Sequence, residues 1–116
     1  MVRQMDVAAV ASARANDLAH AVLLDVREPW EFELARIEGS VNVPMSTLVG
    51  RVDEIRALQQ SATGAVPAPM VVICHHGIRS LQCAQFLSKQ GLDGLINLSG
   101  GIDAWSARVD TSVPQY

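Results

Sequence analysis

A four-residue apolar run, Met70-Val71-Val72-Ile73, leads straight into Cys74-His75-His76-Gly77-Ile78-Arg79-Ser80. An amphipathic helical pattern follows, from about Ser80 to Gln90. The apolar run reads as a fully buried strand. A cysteine therefore stands at the carboxyl end of a strand, at the mouth of a tight loop that opens a helix. In open α/β sheets that crevice is where ligands bind. The loop N–H groups and the helix N-terminus form a partially positive cradle suited to an anion. A thiol in such a cradle ionises more easily, because the N–H groups stabilise the thiolate. For a lone cysteine the ordinary reading is an inert residue before a turn. Gly77 and Arg79 in the same loop shift the expectation to a reactive thiol.

Shorter signals on either side extend the pattern. Arg3-Gln4-Met5 suits a short edge strand, and Asp6 can cap a first helix through Val7, Val10 and Ala13. Ala21-Val22-Leu23-Leu24 is a second buried run, with Asp25 at its carboxyl end. Pro29 fits the first turn of a helix over Pro29 to Leu34. Val41-Asn42-Val43 is a short strand stopped by Pro44. Ser46 can cap the next helix, which sets Leu48, Val52, Ile55 and Leu58 on one face. Ser61 to Pro69 reads as a Gly/Pro/Ala loop, too short to serve as a linker between domains. The helix after the cysteine loop turns Leu81, Cys83, Ala84 and Leu87 inward and Gln82, Gln85 and Lys89 outward, and Gly91 ends it. Leu95-Ile96-Asn97-Leu98 is the last strand, and Gly100-Gly101 turns into a final helix carrying Trp105. Strands alternating with helices imply an α/β fold with a parallel sheet covered on both faces.

The 116 residues suit one domain over 1–116 and cannot hold two full cores. With 49% apolar residues, disorder is not expected. A net charge of −3 without a Lys/Arg run argues against nucleic acid and anionic membrane surfaces as partners. No apolar run approaches the ~20 residues that span a bilayer. Asp6 and Arg14 interrupt the Ala/Val-rich start, so no signal peptide is expected there. Two cysteines nine apart do not make a disulfide framework, and a reducing cytoplasm is the default location.

Cys-x-x-Gly-x-Arg-Ser after a Val/Ile strand resembles the active-site loop of rhodanese-like sulfurtransferases. Leu24-Asp25-Val26-Arg27-Glu28-Pro29-Trp30-Glu31-Phe32 resembles the family's upstream motif, and Asn97-Leu98-Ser99-Gly100-Gly101-Ile102-Asp103-Ala104-Trp105 its downstream one. The resemblance runs from about residue 3 to Tyr116. It implies the rhodanese-like fold, a five-stranded parallel sheet with helices on both faces. It also implies a sulfurtransferase reaction: Cys74 attacks the outer sulfur of thiosulfate or a related donor, sulfite leaves, and a persulfide passes its sulfur to cyanide or a thiol. The implied partners are small molecules, with a protein acceptor as a further option. No cofactor and no metal are implied.

Within that resemblance, Cys74 is the nucleophile, and His75, His76, Gly77, Ile78 and Arg79 line the substrate. Arg79 could fork onto the donor's sulfonate oxygens or tie down the loop. His75 and His76 could add positive potential at lower pH or simply face solvent. Zinc ligation by Cys74, His75 and His76 is disfavoured, because adjacent residues rarely converge on one ion and no spaced fourth ligand is apparent. Asp25 and Arg27 match positions that brace the site; the alternative is a surface ion pair worth little. Trp30, Phe32 and Trp105 read as packing residues, and Cys83 as inert core. Where the family usually carries a histidine before its Gly-Ser pair, this chain has Arg36, so a role for that histidine is in doubt here. Two other readings stay open: a non-catalytic persulfide carrier or interaction module, and a thiol phosphatase or arsenate reductase. Against the phosphatase stands loop length. Four residues separate Cys74 from Arg79, whereas cysteine-dependent phosphatases resemble this loop but carry five, and one residue adds up to ~3.5 Å of chain.

Overall fold

The computed structural model describes residues 2–63 and 67–116. Among them lie five strands and six α-helices. In chain order these are β1 (Arg3–Asp6), α1 (Val7–Ala13), β2 (Val22–Asp25), α2 (Pro29–Leu34), β3 (Val41–Asn42) and α3 (Met45–Leu48). A 3-10 turn over Val49–Arg51 leads to α4 (Val52–Thr63), β4 (Met70–Ile73), α5 (Ile78–Lys89), β5 (Leu95–Ser99) and α6 (Gly101–Arg108). The strands form one sheet in the order β1-β5-β4-β2-β3. Every neighbouring pair is parallel. The expected α/β architecture, a five-stranded parallel sheet with helices on both faces, is present.

The four-residue run Met70–Ile73 is buried along its whole length because β4 is the central strand, with β5 on one side and β2 on the other. Its side chains alternate between two cores, as period-two geometry requires. Val71 and Ile73 join Val7, Val10, Ile102 and Trp105, on the face covered by α1 and α6. Met70, Val72 and Cys74 join Leu48, Ile55, Ala84 and Leu87, on the face covered by α3, α4 and α5. The register aligns Asp25 with Ile73 and Val72 with Asn97. The carboxyl ends of β2, β4 and β5 therefore meet at one edge of the sheet, and Cys74 follows directly from the middle one.

Local chemistry explains the starts of the first two helices. The Asp6 side chain accepts from the Ala9 N–H at 2.8 Å and caps α1, as its position suggested. At α2, Pro29 occupies the first turn, and the Glu28 N–H donates to Glu31 Oε1 at 3.1 Å in a capping box.

Several expectations need correction. Ser46 is not a cap; Pro44 holds that position, and the Ser46 hydroxyl donates to the Glu28 carboxylate at 3.3 Å. The helix α4 continues to Thr63, past the expected loop start at Ser61, and residues 64–66 of that expected loop lie outside the described residues. At the far end of the loop, buried Gln59 donates to the Ala68 and Asp93 carbonyls. The helix α5 begins at Ile78, two residues earlier than expected, because Gly77 already turns the chain, and Leu81 is only half-buried. Trp105 packs in the core as expected, but Trp30 is 63% exposed. Among the described residues no helix is long and apolar enough to cross a membrane.

Candidate active site

Cys74 is buried, with 1% of its surface exposed. Its Sγ accepts the Gly77 N–H at 3.0 Å and donates to Ser80 Oγ at 3.2 Å. The loop doubles back on the sulfur because Gly77 adopts φ +105°, a left-handed conformation that an L side chain resists. The Ser80 hydroxyl in turn donates to Asn97 Oδ1 at 2.5 Å. Asn97 is fixed from its other end, donating to Gln4 Oε1 at 2.7 Å and to the Gly77 carbonyl at 3.1 Å. The thiol thus heads a buried polar chain that crosses from β4 to β5 and reaches the edge strand β1.

Two backbone bonds clamp the loop from the other side. The Ile102 and Asp103 N–H groups at the start of α6 donate to the Cys74 and His75 carbonyls, at 2.9 and 3.0 Å. Gly101 makes this approach possible. A Cβ there would stand 2.4 Å from the His75 carbonyl oxygen. The expected tight Gly100-Gly101 turn is therefore also a contact that no side chain could share.

Arg79 does not reach into open space. Its Nη1 and Nη2 donate to the two Glu31 carboxylate oxygens at 2.7 and 2.9 Å, the same fork the sequence suggested for a donor's oxygens. Glu31 is buried in α2. The Arg79 bonds pull its carboxyl down to about 2, against the opposing effect of burial, and Glu31 in turn raises Arg79 above its ordinary value.

Asp25 and Arg27 are not a surface pair; both side chains are 0% exposed. Arg27 donates through Nε to Asp25 Oδ1 at 2.9 Å and through Nη2 to Oδ2 at 2.6 Å. It also donates to the Ala35 and Glu31 carbonyls and, at 2.8 Å, to the Tyr116 hydroxyl. Burial alone would lower the Arg27 pKa, but the Asp25 and Tyr116 bonds outweigh it and the net shift is upward. Tyr116 completes the circuit by donating to Glu31 Oε2 at 2.8 Å. Burial pushes the Tyr116 phenol up to about 12. Asp25, Arg27, Tyr116, Glu31 and Arg79 thus form one continuous network running from the end of β2 to the first turn of α5.

The remaining loop residues divide by exposure. His75 is half-buried, its ring stacked on Tyr116 at 4.0 Å and on His76 at 4.0 Å. Burial, followed by the neighbouring His76 charge, lowers its pKa from the ordinary histidine value. His76 and Ile78 face solvent. Arg36 lies over the Phe32 ring at 4.7 Å. Trp30 meets Tyr116 edge-on, with ring centroids 6.2 Å apart. Cys83 is buried among apolar side chains, as its helix position suggested, and burial pushes its thiol up to about 11.

The sequence reading did not place Ser80, Asn97, Glu31 or Tyr116 in the site. Asn97 carried a signal, a polar residue inside an apolar strand run. Ser80 also carried one, a hydroxyl in the first turn of the helix that follows the cysteine loop. Tyr116 carried none.

Residues 7–108 match the Rhodanese-like domain family. The uncharacterized protein YqhL of Bacillus subtilis is 38% identical over 89 residues, covering 77% of this chain and 64% of that protein. Adenylyltransferase and sulfurtransferase MOCS3 of Arabidopsis thaliana is 32% identical over 102 residues, covering 82% of this chain but 22% of its own length. The chain thus spans less than two thirds of either relative. Among solved structures, human single-domain sulfurtransferase TSTD1 superposes with a TM-score of 0.72 at 26% identity, covering 90% of this chain and 96% of that one.

Proposed function

The chain belongs to the rhodanese-like domain family, and from that premise we propose that it transfers sulfane sulfur through a persulfide on Cys74. The donor is thiosulfate or a related sulfane compound. The Cys74 thiolate attacks the outer sulfur, the S–S bond of thiosulfate breaks, and sulfite leaves with the bonding electron pair. The terminal persulfide sulfur then passes to cyanide or to a thiol, which regenerates the thiolate. The observation that carries this reading is the thiol's setting at the end of β4. The Gly77 N–H points at Sγ, and the Ser80 hydroxyl stands 3.2 Å away, able to turn from Asn97 and donate to an anionic sulfur. A soft, polarisable nucleophile among such donors suits a sulfur electrophile.

In this reading Arg79 braces the loop through Glu31, and the loop amides carry the charge of the persulfide. Gly77 shapes the turn, His75, His76 and Ile78 border the donor's approach, and Asp25 and Arg27 hold α2 and Glu31 in place. The sulfurtransferase names of the plant and human relatives support the reaction class. The short Cys74-to-Arg79 loop supports sulfur over phosphate chemistry. Intact-mass spectrometry after thiosulfate treatment tests the reading directly. The expected result is a gain of one sulfur atom on Cys74, removed by cyanide with release of thiocyanate. Efficient hydrolysis of an aryl phosphate, with no gain of sulfur mass, would sink it in favour of a thiol phosphatase. Sulfur loading without multiple turnover, with release only to a protein thiol, would favour a carrier.

A further inference from the structure

Three metal-ligating side chains from two separate elements meet on the loop that carries Cys74. One ring nitrogen from His75, one from His76 and a carboxylate oxygen from Asp103 lie within 4.8 Å of one another. The sequence argued against a metal here, because adjacent residues seldom converge and no further ligand stood at a suitable spacing. Tertiary structure removes both objections. The His75 and His76 rings stack face to face with planes 29° apart, so both imidazoles lie on the same side of the loop and do not splay to opposite sides. Asp103 enters from α6, whose first turn is seated on the loop by the Asp103 N–H bond to the His75 carbonyl.

The donors combine one fixed group with two adjustable ones. The His75 ring is sandwiched between His76 and Tyr116, and among the described residues its buried Nε2 has no hydrogen-bond partner. His76 and Asp103 are 62% and 40% exposed, with Nε2 and Oδ2 3.9 Å apart. The other Asp103 oxygen receives a long contact from Gln115, at 3.4 Å. Ligands about 2.0–2.2 Å from a tetrahedral ion stand roughly 3.3 Å from one another. Closing the observed separations to that value needs side-chain rotations of the order of an ångström, which surface residues can make.

We infer that His75, His76 and Asp103 form a binding site for a divalent first-row transition ion with zinc-like preferences. Two imidazoles and a carboxylate leave a coordination position for water, as in open zinc sites. The imidazoles favour zinc, copper or nickel over magnesium and calcium. The inference rests on this donor set and not on the sulfur-transfer reading.

The test separates the two. The full chain carrying Cys74→Ser and Cys83→Ala has no thiol and forms no persulfide. Calorimetric titration of this variant with zinc chloride should show a single saturable site. Adding His76→Ala or Asp103→Asn, both at surface positions, should weaken binding by about 10–100-fold while the circular dichroism spectrum is unchanged. The same protein titrated with magnesium chloride should show no comparable binding. Wild-type protein titrated with cobalt(II) should develop visible ligand-field bands without thiolate charge-transfer absorption. Failure of the thiol-free protein to bind zinc would overturn the assignment. Equal affinity in the His76 and Asp103 variants, or a thiolate–cobalt band in the wild type, would also overturn it.

Discussion

Cys74 and Cys83 are both buried, lie nine residues apart on the same loop and helix and border the same apolar cluster, yet the Cys74 sulfur also meets polar partners, the Gly77 N–H and the Ser80 hydroxyl. Around Cys74 the carboxyl end of the sheet is polar inside: Asp25, Arg27, Glu31, Ser80 and Asn97 are all buried there. Each finds a partner, which is the condition for burying such groups at tolerable cost. Cys83 lies at the floor of an open, largely apolar groove of about 230 Å³ that it lines together with Met45, Leu48, Val49, Gln82 and Phe86. Burial there holds its thiol protonated, at about 11. Depth alone therefore does not distinguish the two cysteines. What distinguishes them is whether the surrounding groups can stabilise the anion once it forms.

The contrast is tested most directly by exchanging the two sulfurs for groups that cannot do their work. Cys74→Ser should lower thiosulfate:cyanide transfer by at least about 10⁴-fold with the fold retained, because an alcohol stays protonated where a thiol ionises. Cys83→Ala should leave transfer within about twofold and cost roughly 1 kcal/mol of stability, read by urea unfolding. Comparable loss of transfer in both variants would place the second thiol in the mechanism.

The polar interior should also be the more costly one to damage. Arg27→Met removes the cation that partners Asp25 and leaves a carboxylate buried without its counter-charge. A loss of about 3–5 kcal/mol is expected in denaturant unfolding. A loss below about 1 kcal/mol would mean that the network is dispensable and that apolar packing holds this end of the sheet.

Ser80→Ala is a smaller perturbation. It leaves Asn97 Oδ1 and the thiol without their shared hydroxyl, for a cost of about 1–3 kcal/mol. The rate of persulfide formation, followed by rapid-quench mass analysis, should fall about tenfold as one donor to the sulfur is lost. An unchanged rate would leave the loop amides as the sole stabilising groups.

The smallest effects should be opposite in sign for the two interiors when stability is followed against pH. Glu31 titrates in the folded protein at about 2, below its ordinary value of 4.5. Between those values the unfolded chain binds the proton first, so this contribution is present above about 4.5 and is lost as pH falls toward 2. Cys83 titrates at about 11, above its ordinary 9.0. Here the unfolded chain loses the proton first, so stability is lost as pH rises from 9 toward 11. Glu31→Gln should flatten the acid limb and Cys83→Ala the alkaline limb. In native protein near neutral pH, iodoacetamide should mark Cys74 alone, and equal labelling of Cys83 would contradict its placement.

Local sequence was enough to specify the alternation of strands and helices, the strand that ends in Cys74 and the loop that follows. These are short-range properties: a four-residue apolar run between turn residues suits a covered strand better than a helix, and a Gly-containing turn into a helix creates its N–H cradle from neighbouring residues. The inward face of α5 was legible for the same reason, since helical periodicity assigned Cys83 and Leu87 to the core. Packing settled everything that depended on who meets whom across the sheet. Arg79 could be read as a cation but not as one already claimed by Glu31, 48 positions earlier. Asp25 and Arg27 could be read as a pair, but whether exposed or fully buried depended on α2 and Tyr116 closing over them. Asp103 came within reach of His75 and His76 because Gly101 lets α6 touch the loop backbone. Such contacts join residues far apart in the chain, and their strength depends on burial and partner geometry, which exist only once the elements have packed.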